Sequence, residues 1–134
     1  MNYNFLRDYP FVRPLSFYQE EHKNLTITNE LIENAVLGVH MQYRDRMYIT
    51  IRGKNFYLCD SAKPVGPYLG SLMTFLADFF DENQHGGFTI DQLNGKYIRL
   101  MTDGEEIIGF GHIVQDQFVY LHEIFGEKSK LWRK

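Results

Sequence analysis

From Ala35 to Tyr43 apolar and polar positions alternate: Ala35, Leu37, Val39, Met41 and Tyr43 fall on one side, Val36, Gly38, His40 and Gln42 on the other. A period of two predicts a strand with one buried face. The next run, RMYITIRGKNFYLCD, has Gly53-Lys54 at its centre, a pair suited to a two-residue type II′ turn with glycine first. Pairing about that turn sets Ile51 opposite Phe56 and Ile49 opposite Leu58. These four share one face, while Tyr48, Thr50, Arg52, Asn55, Tyr57 and Cys59 share the other.

After SAKPVG the period lengthens. Pro67 suits a first helical position, and Leu69, Leu72, Met73, Phe75, Leu76, Phe79 and Phe80 recur at spacings of three and four. Ser71, Thr74, Asp78, Asp81 and Glu82 lie off this stripe. A helix over about 67–83, ending before Gly86-Gly87, is the element expected to cover the sheet.

Thr89 to Gly95 reads as a short capped turn into a strand from Lys96 to Met101, which Asp103-Gly104 stops with a hairpin signal. That turn pairs Leu100 with Ile107, Ile98 with Gly109 and Lys96 with Gly111. One face then holds Ile98, Leu100, Ile107, Gly109, Gly111 and Ile113, and two glycines there predict a close approach by the helix backbone. The other holds Tyr97, Arg99, Ile108, Phe110, His112 and Val114. A three-residue loop, Gln115-Asp116-Gln117, would pair Val114 with Phe118, His112 with Tyr120 and Phe110 with His122.

The first eighteen residues carry six aromatics around Pro10 and Pro14 with neither period, which predicts an extended aromatic arm. Residues 127–134, EKSKLWRK, read as an exposed basic tail. The fold expected is α+β: an antiparallel sheet of about five strands built from hairpins, packed against one main helix, with the arm along its outer side. A length of 134 residues makes 1–134 a single domain.

Composition narrows the function. A hydrophobic content of 44% excludes a disordered tail, and a net charge of −3 gives no global attraction to a phosphate backbone. The single cysteine, Cys59, has no internal disulfide partner, no basic start precedes an apolar run, and no stretch suits a membrane helix. A reducing cytoplasm and no membrane partner are the expectation.

Candidate chemistry is sparse. The pairing above puts His112 and His122 diagonally on one face, roughly 7–8 Å apart at Cα. A zinc site needs further ligands, and Asp116 sits at the loop while Glu123 points to the opposite face. A metalloprotein or hydrolase using these histidines is therefore the least favoured reading. Cys59 has no histidine in fixed spacing, the glycines of IIGFGHI lack a phosphate-loop lysine, and serine nucleophile elbows are absent. No catalytic residue, metal or cofactor is expected, and the chain reads as a non-enzyme.

Two surfaces suggest binding. Arg44, Arg46, Arg52 and Lys54 accompany Tyr48 and Tyr57, a mixture that suits single-stranded nucleic acid through charge and stacking. Tyr97, Arg99, Phe110, His112, Phe118 and Tyr120 form an aromatic face that either the arm or a partner must cover. Trp132 is a further candidate anchor for a partner. An arm crossing to a second copy would make a homodimer.

The pattern LNGKYIRL followed by IIGFGHIVQDQF resembles a group of small proteins encoded by bacteriophages and prophages, with a Leu-x-Gly-Lys-Tyr-x-Arg strand, an Ile-Gly-His-Ile strand and an Asp-x-aromatic. The matching positions are Leu93, Gly95, Lys96, Tyr97, Arg99, Gly111, His112, Ile113, Asp116 and Phe118. The likeness spans roughly the C-terminal two-thirds; a glycine-rich stretch after the central strand is reduced here to Gly53. The resemblance implies a mobile-element origin and a bacterial cytoplasm, and it carries over no activity. The leading expectation is thus an anti-CRISPR-like module that binds a host protein, a defence nuclease among the targets. A nucleic-acid-binding module on the basic hairpin is the alternative.

Overall fold

The computed structural model describes residues 9–39, 47–62, 66–82, 86–124 and 130–133. In chain order these form α1 (Leu15–Glu21), β1 (Leu25–Leu31), β2 (Asn34–Val39), β3 (Met47–Arg52), β4 (Phe56–Ala62) and α2 (Gly66–Phe79). A 3-10 turn (Ile90–Leu93) follows, then β5 (Tyr97–Asp103), β6 (Glu106–Gly111), β7 (Phe118–Tyr120), α3 (Leu121–Ile124) and β8 (Lys130–Arg133). The class is α+β, but the expected single sheet is two antiparallel four-stranded sheets, ordered β1-β5-β6-β7 and β2-β3-β4-β8.

The division arises at Ile32-Glu33. Ile32 N–H donates to the Lys96 carbonyl and its own carbonyl accepts from Gly95, both at 2.8 Å, which keeps it on the first sheet. Glu33 N–H donates instead to the Arg52 carbonyl at 2.9 Å, on the second. The chain therefore changes sheets within one peptide, and Ile32, wholly buried, fills the corner. Strand β1 escaped the sequence reading because its alternation, Leu25 and Ile27 against Thr26 and Thr28, is brief and interrupted by Asn29-Glu30.

One core joins both sheets to α2. Ile49, Ile51, Phe56 and Leu58 meet Ile98, Leu100, Ile107, Phe110 and Val119, with Leu72, Phe75, Leu76, Phe79 and Phe80 among them. Each such side chain contributes about 1.5–3 kcal/mol by leaving water. A second cluster, Tyr18, Met101 and Phe118 with Phe17, Ile27 and Tyr120 packed on it, fixes α1 to the outer face of the first sheet.

Both hairpin turns sit one residue later than the glycine signals suggest. Ile51 lies opposite Leu58, and Gly53 N–H donates to the Phe56 carbonyl at 3.1 Å, so Lys54-Asn55 makes the turn. This shift keeps the parity of every residue, and Ile49, Ile51, Phe56 and Leu58 share the buried face as expected. A Cβ on Gly53 would strike the Phe56 ring and the Leu31 carbonyl, which is why the corner takes glycine.

In the second hairpin Asp103 lies opposite Glu106, and Gly104, at φ 64°, starts the turn. A bulge then leaves Ile108 unpaired, after which Met101 faces Gly109, Leu100 faces Phe110 and Arg99 faces Gly111. The extra residue exchanges the two faces beyond it. Phe110 therefore enters the main core, and Gly109 and Gly111 turn to the α1 side. They admit strand β7, not the helix: a Cβ on Gly111 would strike the Phe118 ring, and one on Gly109 the Val119 carbonyl. Gly111 also lies opposite Phe118, so the connection is residues 112–117 and the expected histidine ladder does not form.

Helix α2 stops at Phe79 rather than 83. Asp81 takes the left-handed conformation at φ 59°, and Glu82 N–H donates back to the Ala77 carbonyl at 2.7 Å, a Schellman closure. Asp78, expected off the apolar stripe, is buried, because the Tyr9 hydroxyl donates to its Oδ2 at 2.5 Å.

The arm, expected to be extended, contains α1, with Pro14 as its N-cap. The tail was expected to be free; its residues 130–133 instead form β8, paired with β4. The expected course of residues 1–8 and 40–43, with Arg44 and Arg46, lies outside the described residues.

Candidate interaction face

The loop 112–117 is held from three directions. Arg99 projects from β5, and its Nε and Nη2 donate to the carbonyls of His112 at 2.7 Å and Gln115 at 2.6 Å. Its guanidinium lies over the Phe118 ring, 4.6 Å from the centroid. His112 N–H donates to the Gln117 carbonyl, 2.9 Å, and closes the loop.

The His112 imidazole adds a second clamp. Its Nδ1 accepts from the backbone N–H groups of Val114 and Gln115, both at 3.0 Å, which assigns the proton to Nε2. That nitrogen donates to Asp81 Oδ2 at 3.1 Å and so ties the loop to the end of α2. Asp116 provides the third: its Oδ1 accepts from Leu15 N–H at 2.8 Å, a cap for α1 that Pro14 has no side-chain oxygen to give.

This scaffold presents apolar side chains to solvent. Val114 is 74% exposed, Tyr97 54%, and Ile113 and Leu31 each 37%. Leu31 lies directly opposite Tyr97 across β1 and β5. Between the loop and the end of α2 is a pocket of about 330 Å³ lined by Phe80, Asp81, Gly95, Lys96, Tyr97, His112 and Ile113. Its lysine is paired, Lys96 Nζ lying 2.8 Å from Glu82, and the Asp81 carboxylate accepts from His112 Nε2.

A second polar network joins α1 to the other end of the same sheet. Arg13 grips Glu123 with both guanidinium arms at 2.6 and 3.2 Å, a hydrogen-bonded pairing that raises the Arg13 pKa. Tyr18 donates to the Phe118 carbonyl at 2.8 Å, and burial pushes its phenol up to about 12. His22 spans Asp103 at 2.7 Å and the Tyr120 hydroxyl at 3.0 Å, and Tyr120 in turn donates to Glu21. Desolvation and the Glu21 carboxylate raise the Tyr120 pKa, so the phenol keeps its proton as a donor. The chain Asp103–His22–Tyr120–Glu21 engages the Tyr120 hydroxyl on both sides and ties α1 to β5 and β7.

The expected aromatic face is thus divided. Tyr97, Arg99 and His112 meet around the loop. Phe110 and Phe118 are buried and Tyr120 lies against Tyr18 at a centroid distance of 4.7 Å, so these three are packing residues covered by the core and by α1. Trp132 is in β8, with its backbone opposite Tyr57. On the basic hairpin, Arg52 lies 3.8 Å from Glu33, Tyr48 and Tyr57 are half-buried, and Lys54 is exposed at the turn.

His122 stacks on Tyr120 at 4.9 Å while His112 engages Asp81. Among the described residues no three His, Cys, Asp or Glu side chains are grouped to hold a metal. Sequence reasoning missed Leu31, which lay outside any foreseen strand, and the clamp role of Asp81; it placed Asp116 in the loop but did not foresee its cap on Leu15. A glutamate-histidine pair, Glu21-His22, was the available sign of the second network, but only the α1 fold brings it to Asp103. No helix among the described residues is long and apolar enough to cross a membrane. No protein-family model, curated protein or solved structure matches the chain.

Proposed function

We propose that the protein is a non-catalytic binding module that docks another protein on the face formed by Leu31, Tyr97, Ile113 and Val114. The observation that carries this reading is the exposure of Tyr97 and Val114 beside a loop clamped by Arg99, His112 and Asp116. Apolar side chains held in place lose little entropy on binding, and a tyrosine beside a pocket is a favoured anchor. A protein suits this face better than a nucleic acid, because its lysine, Lys96, already faces the Glu82 carboxylate and His112 donates its Nε2 proton to Asp81. The basic hairpin is weaker still as a nucleic-acid site, since Glu33 shares the charge of Arg52.

The resemblance to phage proteins extends the proposal to its setting: a mobile-element accessory protein in a bacterial cytoplasm that inhibits a host factor, such as a defence nuclease. The motif residues support it indirectly. Arg99, His112 and Asp116 build the loop, and Tyr97 and Ile113 occupy its surface. The test is a tagged pull-down from bacterial lysate with nuclease, run beside Tyr97→Ser/Val114→Asp. A stoichiometric protein captured by the parent and lost by the variant, with unchanged thermal unfolding, supports the reading. Capture unaffected by the variant, or only of nucleic acid, overturns it.

A further inference from the structure

Strand β1 is an edge strand of the first sheet, paired with β5 on one side. Ile32 directs its N–H and carbonyl toward the β5 side, where they meet Lys96 and Gly95. Backbone polar groups alternate along a strand, so those of Leu25, Ile27, Asn29 and Leu31 point away from β5. The Leu31 carbonyl accordingly abuts Gly53. Among the described residues, no strand pairs with the outward row of donors and acceptors of Leu25, Ile27 and Asn29.

Edges of this kind are usually protected by proline, lysine or a bulge. The sequence LTITNEL has none of these, its pairing with β5 is regular over all seven residues, and its one charge, Glu30, is near the end. Thr26, Thr28 and Asn29 are exposed along it.

We propose that this edge pairs with β1 of a second copy, antiparallel about a two-fold axis at Ile27, joining two four-stranded sheets into one of eight strands. The strand is complementary to itself in that register. Ile27 meets its own copy on the face where α1 packs, Leu25 meets Asn29, and Thr26 meets Thr28, a cross-strand hydroxyl pair. Glu30 falls opposite Asn24 and Leu31 opposite Lys23, so no like charges meet, and Glu30 gains a lysine beside its partner position. Both copies present the same surface, as a closed dimer requires. The contact adjoins the face proposed for a partner protein, sharing Leu31 with it, while Tyr97, Ile113 and Val114 lie outside the paired strand.

Sedimentation equilibrium across a concentration series tests this. The mass rises from 15.9 kDa toward twice that value with concentration. Asn29→Pro removes an outward N–H without removing a donor from the β1–β5 ladder, and it returns the chain to monomer with its circular dichroism intact. A wild type that stays monomeric throughout, or a folded Asn29→Pro chain that still dimerises, overturns the proposal.

Should Asn29→Pro fail to fold, Ile27→Cys in a Cys59→Ser background decides. Residues facing each other across the axis at about 5.5 Å between Cα atoms are within disulfide range. Rapid oxidation to a covalent dimer that keeps the parent circular dichroism supports the pairing; a chain that stays monomeric on a non-reducing gel overturns it.

Discussion

The guanidinium of Arg99 rests 4.6 Å from the ring centroid of Phe118 while two of its nitrogens hold the carbonyls of His112 and Gln115. One side chain therefore joins β5, the loop and β7. Arg99→Ala removes two charge-assisted hydrogen bonds and the stacking, at a cost of roughly 1–3 kcal/mol in urea unfolding. Arg99→Lys recovers only part, because an ammonium cannot reproduce the planar fork. Hydrogen exchange at Gln117, whose amide donates to Gln115, is expected to accelerate in both.

The two glycines of β6 make a graded pair. Alanine at 111 would meet the Phe118 ring, which can shift, whereas alanine at 109 would meet the Val119 carbonyl, which cannot without breaking β7. Both substitutions overpack, at about 1–3 kcal/mol. Gly109→Ala is expected to be the more costly, read as the larger fall in denaturation midpoint.

Those glycines mark where the sequence stopped being legible. The face of Ile49, Ile51, Phe56 and Leu58 was readable although its turn was misplaced, because moving a two-residue turn by one position preserves parity. The bulge at Ile108 does not preserve it. A single unpaired residue carried Phe110 into the core and both glycines out, and no local pattern announces such an insertion. The arm misled for another reason: Pro14 reads as an extended signal, yet it caps a helix whose first N–H is satisfied by Asp116, 101 residues away. Of the candidate face, Tyr97 and His112 were readable as chemistry. Their neighbours Asp81 and Leu31 were not, since tertiary contact alone brings them there.

Alkaline pH should expose the role of Tyr18. Burial raises its phenol from the ordinary value of 10.0 to about 12, so the folded state holds a proton that the unfolded state releases first. Its contribution is present in full below pH 10 and is lost as pH rises toward 12. Chemical denaturation across that window should show falling stability. In Tyr18→Phe the fall should shrink, with a pH-independent penalty of about 1–2 kcal/mol for the missing hydrogen bond to the Phe118 carbonyl.

Tyr9 and Asp78 allow a sharper comparison. Asp78 is 8% exposed and lies in the last turn of α2, where the helix dipole disfavours a negative charge, and Tyr9 donates to it at 2.5 Å. Tyr9→Phe keeps the ring against Phe75, 5.1 Å between centroids, and removes only the donor to a buried carboxylate. It should cost about 1.5–3 kcal/mol. Asp78→Asn keeps an acceptor for the Tyr9 hydroxyl while relieving the charge, and should cost less. The double variant should be less destabilised than the two single costs added together, because the asparagine no longer presents a charge in need of that donor. Strict additivity in thermal or urea unfolding would mean that the Tyr9–Asp78 hydrogen bond contributes nothing to the attachment of the arm.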